Sequence, residues 1–218
     1  MNAYYNFDLH VHSVYSKDSL LTPERIIKVA MVKGINSIAI TDHDTILGGL
    51  KTKSIKQNSL LVIIGSEIKT DYGDLIGLFL NEEIKSRIFP EVIEEIKDQG
   101  GFVVLPHPYR RKKFPDNGLF RKIDVLEGIN GRTSEELNQK AQSLARELSK
   151  PVVGGSDAHF SFELGTVMNC ANHFCNDEEE LRRLILDNNS TCRYKVNSSF
   201  VRKSNILLSA FLKRVKNI

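Results

Sequence analysis

The sequence has no tryptophan, only three cysteines and only three methionines among its 218 residues. The cysteines (Cys170, Cys175 and Cys192) are odd in number and bunched late, which argues against a disulfide framework. No apolar run reaches the roughly 18 residues that a membrane-spanning helix needs. Met1 to Phe7 lacks both a basic stretch and a long apolar stretch, so a secretory leader is not expected. A reducing cytoplasmic setting without membrane contact is the expectation. Acidic residues are missing from Asn188 onward, where seven basic ones stand: Arg193, Lys195, Arg202, Lys203, Lys213, Arg214 and Lys216. The whole chain has 30 basic and 27 acidic residues, so the part before this tail holds 23 basic against 27 acidic. A basic tail suits nucleic acid or an acidic partner. The plainer reading is a basic C-terminal helix over about residues 200–218. It packs on the rest through Leu207, Leu208, Phe211 and Val215, with its charges in water.

What is present fits one α/β domain covering residues 1–218, with 41% hydrophobic and 26% charged residues. Short apolar runs alternate with amphipathic stretches, the pattern of βα units. Strands are expected near 5–9, 36–41, 60–65, 75–80, 101–106, 123–127 and 151–155. Helices are expected near 23–33, 46–57, 89–98, 133–148, 177–187 and 203–216. Seven strands predict a parallel sheet, open or closed. Ligand-type residues follow nearly every one, which favours barrel-like closure with the site at the C-terminal strand ends.

Five of the six histidines fall at those ends. The motifs run Asp8-Leu9-His10-Val11-His12, Thr41-Asp42-His43-Asp44, Gly65-Ser66-Glu67, Pro106-His107-Pro108 and Gly155-Ser156-Asp157-Ala158-His159. The two-residue period of a strand places Asp8, His10 and His12 on one face. Imidazoles and carboxylates suit Zn, Mn or Fe, and a carboxylate can bridge two ions. A pair of ions sharing a hydroxide makes a nucleophile at neutral pH. A Ser-His-Asp triad would leave four histidines without a role. Cys170-Ala-Asn-His173-Phe-Cys175 imitates a zinc knuckle but lacks a fourth ligand; an edge strand with incidental thiols is the simpler reading.

The ordered series H-x-H, T-D-H-D, G-x-E, H-P and G-S-D-A-H, over about residues 5–165, resembles the PHP (polymerase and histidinol phosphatase) family of metal-dependent phosphoesterases. The resemblance implies a distorted seven-stranded, TIM-like barrel with a di- or trinuclear site. It implies one metal held by His10, His12, Glu67 and Asp157, and a second shared by Glu67 and His107. A third would be held by His43 and His159, with Asp18 where members place an acid or a histidine. Many members carry a histidine in an H-x-x-G pattern after G-x-E, whereas this chain has Gly73-Asp74-Leu75-Ile76-Gly77. Asp74 is either a harder oxygen ligand to the second metal or a turn residue. Glu127 and Asn130 either serve the site or pack at a strand end.

His43, His159 and Asp157 are the residues expected to act in the chemistry. Metal-bound hydroxide would hydrolyse a phosphomonoester or phosphodiester, with a small phosphorylated molecule or nucleotide as substrate. Phosphate needs cations besides the metals, and Arg110 and Arg132 are chosen over Lys69, Arg111, Lys112 and Lys113 because each closely follows a metal-side strand end. Amide or other ester hydrolysis is a competing reading. So is a nucleic-acid-processing module that docks through the basic tail.

Overall fold

Thr22-Pro23-Glu24 starts a helix for a readable reason. The Thr22 hydroxyl accepts the Arg25 N–H at 3.2 Å, and Pro23 sits in the first turn, where no donor is needed. A computed structural model describes residues 4–57, 59–110, 117–194 and 199–215. The order begins β1 (Tyr5–Val11), α1 (Pro23–Val32), β2 (Ser37–Ile40), α2 (Leu47–Ser54), β3 (Leu61–Lys69) and β4 (Asp74–Leu78). It continues with α3 (Phe89–Asp98), β5 (Phe102–Leu105), a short α4 (Asn117–Phe120), β6 (Val125–Asn130), α5 (Glu135–Glu147) and β7 (Val152–Gly155). Then come β8 (Val167–Ala171), α6 (Glu178–Leu186), β9 (Thr191–Tyr194) and α7 (Ser199–Val215). Among the described residues no helix is long and apolar enough to cross a membrane.

Strands β1 to β7 neighbour one another in chain order. The segment after β7 then returns to β1: Asp157 N donates to His10 O at 2.8 Å, and His12 N donates to Ala158 O at 2.9 Å. The sheet thereby closes almost completely into the expected barrel. The strand count differs, because β8 and β9 extend the sheet to nine strands. β8 runs antiparallel along the first half of β1, from Tyr5↔Ala171 to Phe7↔Asn169, and β9 lies outside it. Cys170 therefore sits on a strand flanked on both sides rather than at the edge. The Asn169 amide stitches the seam where β7 and β1 diverge. It accepts from Gly154 N (2.7 Å) and donates to Gly154 O (2.8 Å) and Phe7 O (3.2 Å).

The sheet is also not purely parallel. β4 runs antiparallel to both β3 and β5. Only the short Thr70–Gly73 turn links β3 to β4, and a parallel partner would need a crossover of a dozen or more residues.

One buried cluster gathers Phe7, Leu9, Ala39, Ile63, Ile76, Val104, Val125 and Val153 from seven strands, with Leu181, Leu184 and Ile185 of α6. Separate clusters fill the space under α1 and under α3. α7 reverses an expectation. Among its described side chains the buried ones are polar, Asn205 and Ser209, while Ile206, Leu207, Leu208, Phe211 and Val215 are exposed. The cause is Arg132, whose Nη2 donates to Asn205 O and Ser209 Oγ, both at 2.8 Å. Of the other cations considered, Lys195, Lys216, Arg111, Lys112 and Lys113 lie outside the described residues.

Candidate metal centre

The five motifs meet at one end of the barrel. In β1 the register against β2 shifts between Asp8 and Val11, which breaks the two-residue period assumed from the sequence. The Asp8 carboxylate meets His10 only at its backbone N (3.4 Å) and joins none of the converging donor groups among the described residues. It also accepts from Ser156 N (3.0 Å) and Gly165 N (3.1 Å), pinning β1 to the loops after β7. Burial pushes the Asp8 carboxyl up to about 6, against these hydrogen bonds. Beyond β2 the chain stays paired with β3, since Glu67 N donates to Asp42 O and Asp44 N to Glu67 O, both at 3.0 Å. That pairing sets His43 beside Glu67. His107 and Asp157 occupy left-handed backbone, with φ of 30° and 53°. Histidine and aspartate visit that region more readily than most residues.

Glu67 is the hub. Its Oε1 lies 2.8 Å from His107 Nε2; its Oε2 lies 3.5 Å from His10 Nε2, 3.4 Å from His12 Nε2 and 3.2 Å from His43 Nδ1. Asp157 Oδ1 lies 3.7 Å from His10 Nε2 and 3.4 Å from His12 Nε2, and those two nitrogens are 3.0 Å apart. Ligands about 2.1 Å from one tetrahedral ion stand ~3.4 Å from each other. His10, His12 and Glu67 thus bring one donor atom each within 4.8 Å of one another, and Asp157 Oδ1 lies beside both histidines.

Asp74, Glu67 and His107 bring one donor atom each within 4.8 Å of one another, as do His12, His43 and His159. Asp18 Oδ2 sits between His43 Nε2 (3.3 Å) and His159 Nε2 (3.4 Å), and its buried Oδ1 has no hydrogen-bond partner. A buried carboxylate oxygen left unmatched beside two imidazoles suits a cation. The groups of converging donors among the described residues include none of Cys170, His173 and Cys175.

Further groups hold the histidines in place, and one of them, Glu127, itself brings a carboxylate oxygen within 4.8 Å of donor atoms on His10 and His107. Glu127 Oε1 faces His10 Nδ1 at 2.9 Å, while its Oε2 accepts from His107 N (2.8 Å) and Asn130 Nδ2 (3.0 Å). A carboxylate on the far nitrogen of a ligand-type histidine fixes the ring and its tautomer. Asp42 acts one step further out. It accepts from Ser13 and Ser16, and Ser16 Oγ then meets His12 Nδ1 (3.2 Å) and His43 N (3.0 Å). Asp44 turns away toward Lys69 N and Arg87. Sequence reading missed Ser16 and Glu163. Glu163 Oε2 accepts from His159 N (2.8 Å) and Phe160 N (3.1 Å), and its spacing of four after His159 was the available signal.

The two arginines part company. Arg110 Nη2 donates to Asp157 Oδ2 (2.8 Å) and Asn130 Oδ1 (2.7 Å), and its side chain stays 37% exposed, open to an anion from solvent. Arg132 Nε pairs with Glu163 Oε1 by charge (3.3 Å) without a hydrogen bond, and its Nη2 donates to α7.

Burial works against charge throughout the cluster, and the neighbours decide each outcome. For Glu67 and Asp157 burial pushes upward, but His10 and the other cations hold both carboxyls well below the usual range. Burial, with His159 and His43 alongside, drives His12 down to about 3. For His43 burial pulls downward, and the bond to Asp18 and the Glu67 charge outweigh it, lifting the ring from 6.5 to about 9. In metal-free protein this stabilising contact is complete below pH 6.5 and is lost as pH rises through about 9. A ligating imidazole must be neutral. Loading manganese at pH 7 should therefore release protons, and affinity should climb with pH until about 9. Calorimetry in buffers of different ionisation enthalpy checks this; identical heats in all buffers would refute it.

A nearly closed α/β barrel with imidazoles and carboxylates nested at one mouth defines a hydrolase of the metal-dependent kind. The chain belongs to the PHP domain family, whose model matches residues 8–189. It is 50% identical over 114 residues to the uncharacterized Methanocaldococcus jannaschii protein MJ1587, covering 47% of this chain and 67% of that one. To protein MJ0417 of the same organism it is 36% identical over 169 residues, covering 72% and 67%. The chain thus spans about two thirds of the length of both relatives. A two-domain Bacteroides vulgatus protein containing a predicted PHP-like metal-dependent phosphoesterase shares the fold. The TM-score is 0.66 at 20% identity, over 89% of this chain and 66% of that one.

Proposed function

We propose that this chain hydrolyses phosphate esters, monoesters or diesters, at a centre of two or three divalent ions of Zn, Mn or Fe. The supporting observation is Glu67, one buried carboxylate set against four histidines with Asp157, Asp74 and Asp18 grouped around them. His10, His12, Glu67 and Asp157 would hold one ion; Glu67, His107 and Asp74 a second; His43, His159 and Asp18 a third. When bound, such ions acidify water and neutralise charge on a phosphoryl group.

The protein's own groups do the rest. Asp157 divides its oxygens, giving Oδ1 to His10 and His12 and Oδ2 to Arg110, so the phosphate-facing guanidinium is fixed relative to the donor cluster. Arg110 suits the phosphate oxygens by its planar donors. His43 is the most open of the five rings at 32% exposed, so it faces the substrate. With His159 it grips Asp18. Three carboxylates besides Glu67 give the centre a strong oxygen component, which favours Mn or Fe over Zn.

Assaying p-nitrophenyl phosphate, bis-p-nitrophenyl phosphate and a mononucleotide panel with Mn, Fe and Zn in parallel tests the reading. Turnover of a phosphate ester with at least one metal is expected. Stoichiometric metal with no turnover of any ester would sink it.

A further inference from the structure

We propose that Lys213, carried on α7 from outside the barrel, is a substrate-phosphate ligand at the Asp18 side of the centre. The proposal rests on the phosphoesterase reading and assigns a binding residue that none of the five motifs contains. Lys213 Nζ lies 3.3 Å from Asp18 Oδ2, and its side chain is 49% exposed. Asp18 is already gripped by His43 and His159, so Lys213 is not needed to satisfy it.

The placement of Lys213 is built rather than incidental. Asn205, Ser209 and Lys213 recur every four residues and so share one face of α7. Arg132 clamps the first two, through Asn205 O and Ser209 Oγ. Arg132 also pairs with Glu163, whose other oxygen accepts the His159 N–H. The loop carrying His159 and the helix carrying Lys213 thus hang on the same Arg132–Glu163 pair. This also accounts for α7 burying its polar stripe while leaving Leu207 and Phe211 in solvent.

A cation held by Asp18, His43 and His159 would neutralise the carboxylate that Lys213 now faces. The ammonium is then left with its charge unmatched and four flexible bonds, and the nearest anion of the reaction is the phosphate. Arg110 meets the cluster at Asp157 and Lys213 meets it at Asp18, so a phosphate at the centre is addressed from two separate carboxylates.

The test titrates inorganic phosphate calorimetrically into manganese-loaded wild type, Lys213→Gln, Lys213→Arg and Arg214→Gln, with metal content measured on each. Wild type should bind phosphate, and Lys213→Gln should bind it about 10-fold more weakly, the loss of one charged hydrogen bond. Lys213→Arg should recover most of the affinity, Arg214→Gln should match wild type, and manganese content should be equal in all four. Equal phosphate affinity in wild type and Lys213→Gln overturns the assignment. So does an equal loss in Arg214→Gln, which would make the effect one of overall charge. If wild type itself binds no phosphate, the phosphoesterase reading fails first, and that result is distinguishable from the other two.

Discussion

Glu67→Gln is expected to lower phosphate-ester turnover by about 10³-fold, the rate equivalent of ~4 kcal/mol of lost transition-state stabilisation. It should also purify with much less manganese than wild type. The substitution keeps shape and removes one negative charge from a position 3% exposed. One carboxylate oxygen serves His107; the other serves His10, His12 and His43. An amide can offer an acceptor to only one of these sets, and its NH₂ then faces the other with a donor. In metal-free protein the thermal midpoint should change far less than the activity, since no large group is added or removed. Elemental analysis and steady-state assays, read together with circular dichroism, separate a lost ligand from a lost fold. A folded Glu67→Gln protein retaining both metal and turnover would show that Glu67 is not the hub.

The convergence of these residues was legible in the sequence, and Glu67 as the shared one followed from the family resemblance. Strand ends in a closed sheet converge, so ligand-type residues at successive ends must meet. Asp18 and Asp74 came instead from the family resemblance, and their carboxylates lie beside His43 and His159, and beside Glu67 and His107. Local features escaped. The shift in β1 goes with an Asp8 carboxylate that accepts N–H groups from Ser156 and Gly165, about 150 residues away, as well as from His10, and no periodicity encodes that. β8 and β9 are five and four residues long and mix polar with apolar positions, so neither periodic pattern marks them. Arg132 illustrates a subtler failure. Proximity to a strand end suggested phosphate, yet Glu163 and the Asn205 carbonyl of α7 compete for the same guanidinium, and both come from beyond the motif. The helix it holds was misread for a related reason. Its apolar residues are spaced like a docking face, but hydrogen bonds to Asn205 and Ser209 decide which side turns inward.

Gly155→Ala should be as damaging as the loss of a ligand, although the added group is one methyl. Gly155 ends β7 where that strand passes closest to β1. A Cβ there would stand 2.3 Å from His10 Cβ and 2.4 Å from Glu127 Oε1. Neither neighbour can yield cheaply. The His10 ring is held at one nitrogen by Glu127 (2.9 Å) and at the other by His12 (3.0 Å). Glu127 in turn receives His107 N and Asn130 Nδ2. Relief requires β7 to move away from β1, which strains the Asp157 N to His10 O contact that closes the barrel. Overpacking of this kind costs ~2–3 kcal/mol, or a fall of about 5–10 °C in Tm for a chain of this size. The displacement of His10 from Glu67 and Asp157 should also cost metal. Gly34→Ala is the matched control: its backbone is left-handed (φ 67°), but nothing lies within 4 Å of the added methyl. It should lose about 1 kcal/mol and keep its manganese. Differential scanning calorimetry in EDTA and in manganese measures both parts. If Gly155→Ala melts with wild type and loads the same metal, β7 and β1 are not as tightly apposed as the His10–Glu127–Asp157 geometry requires.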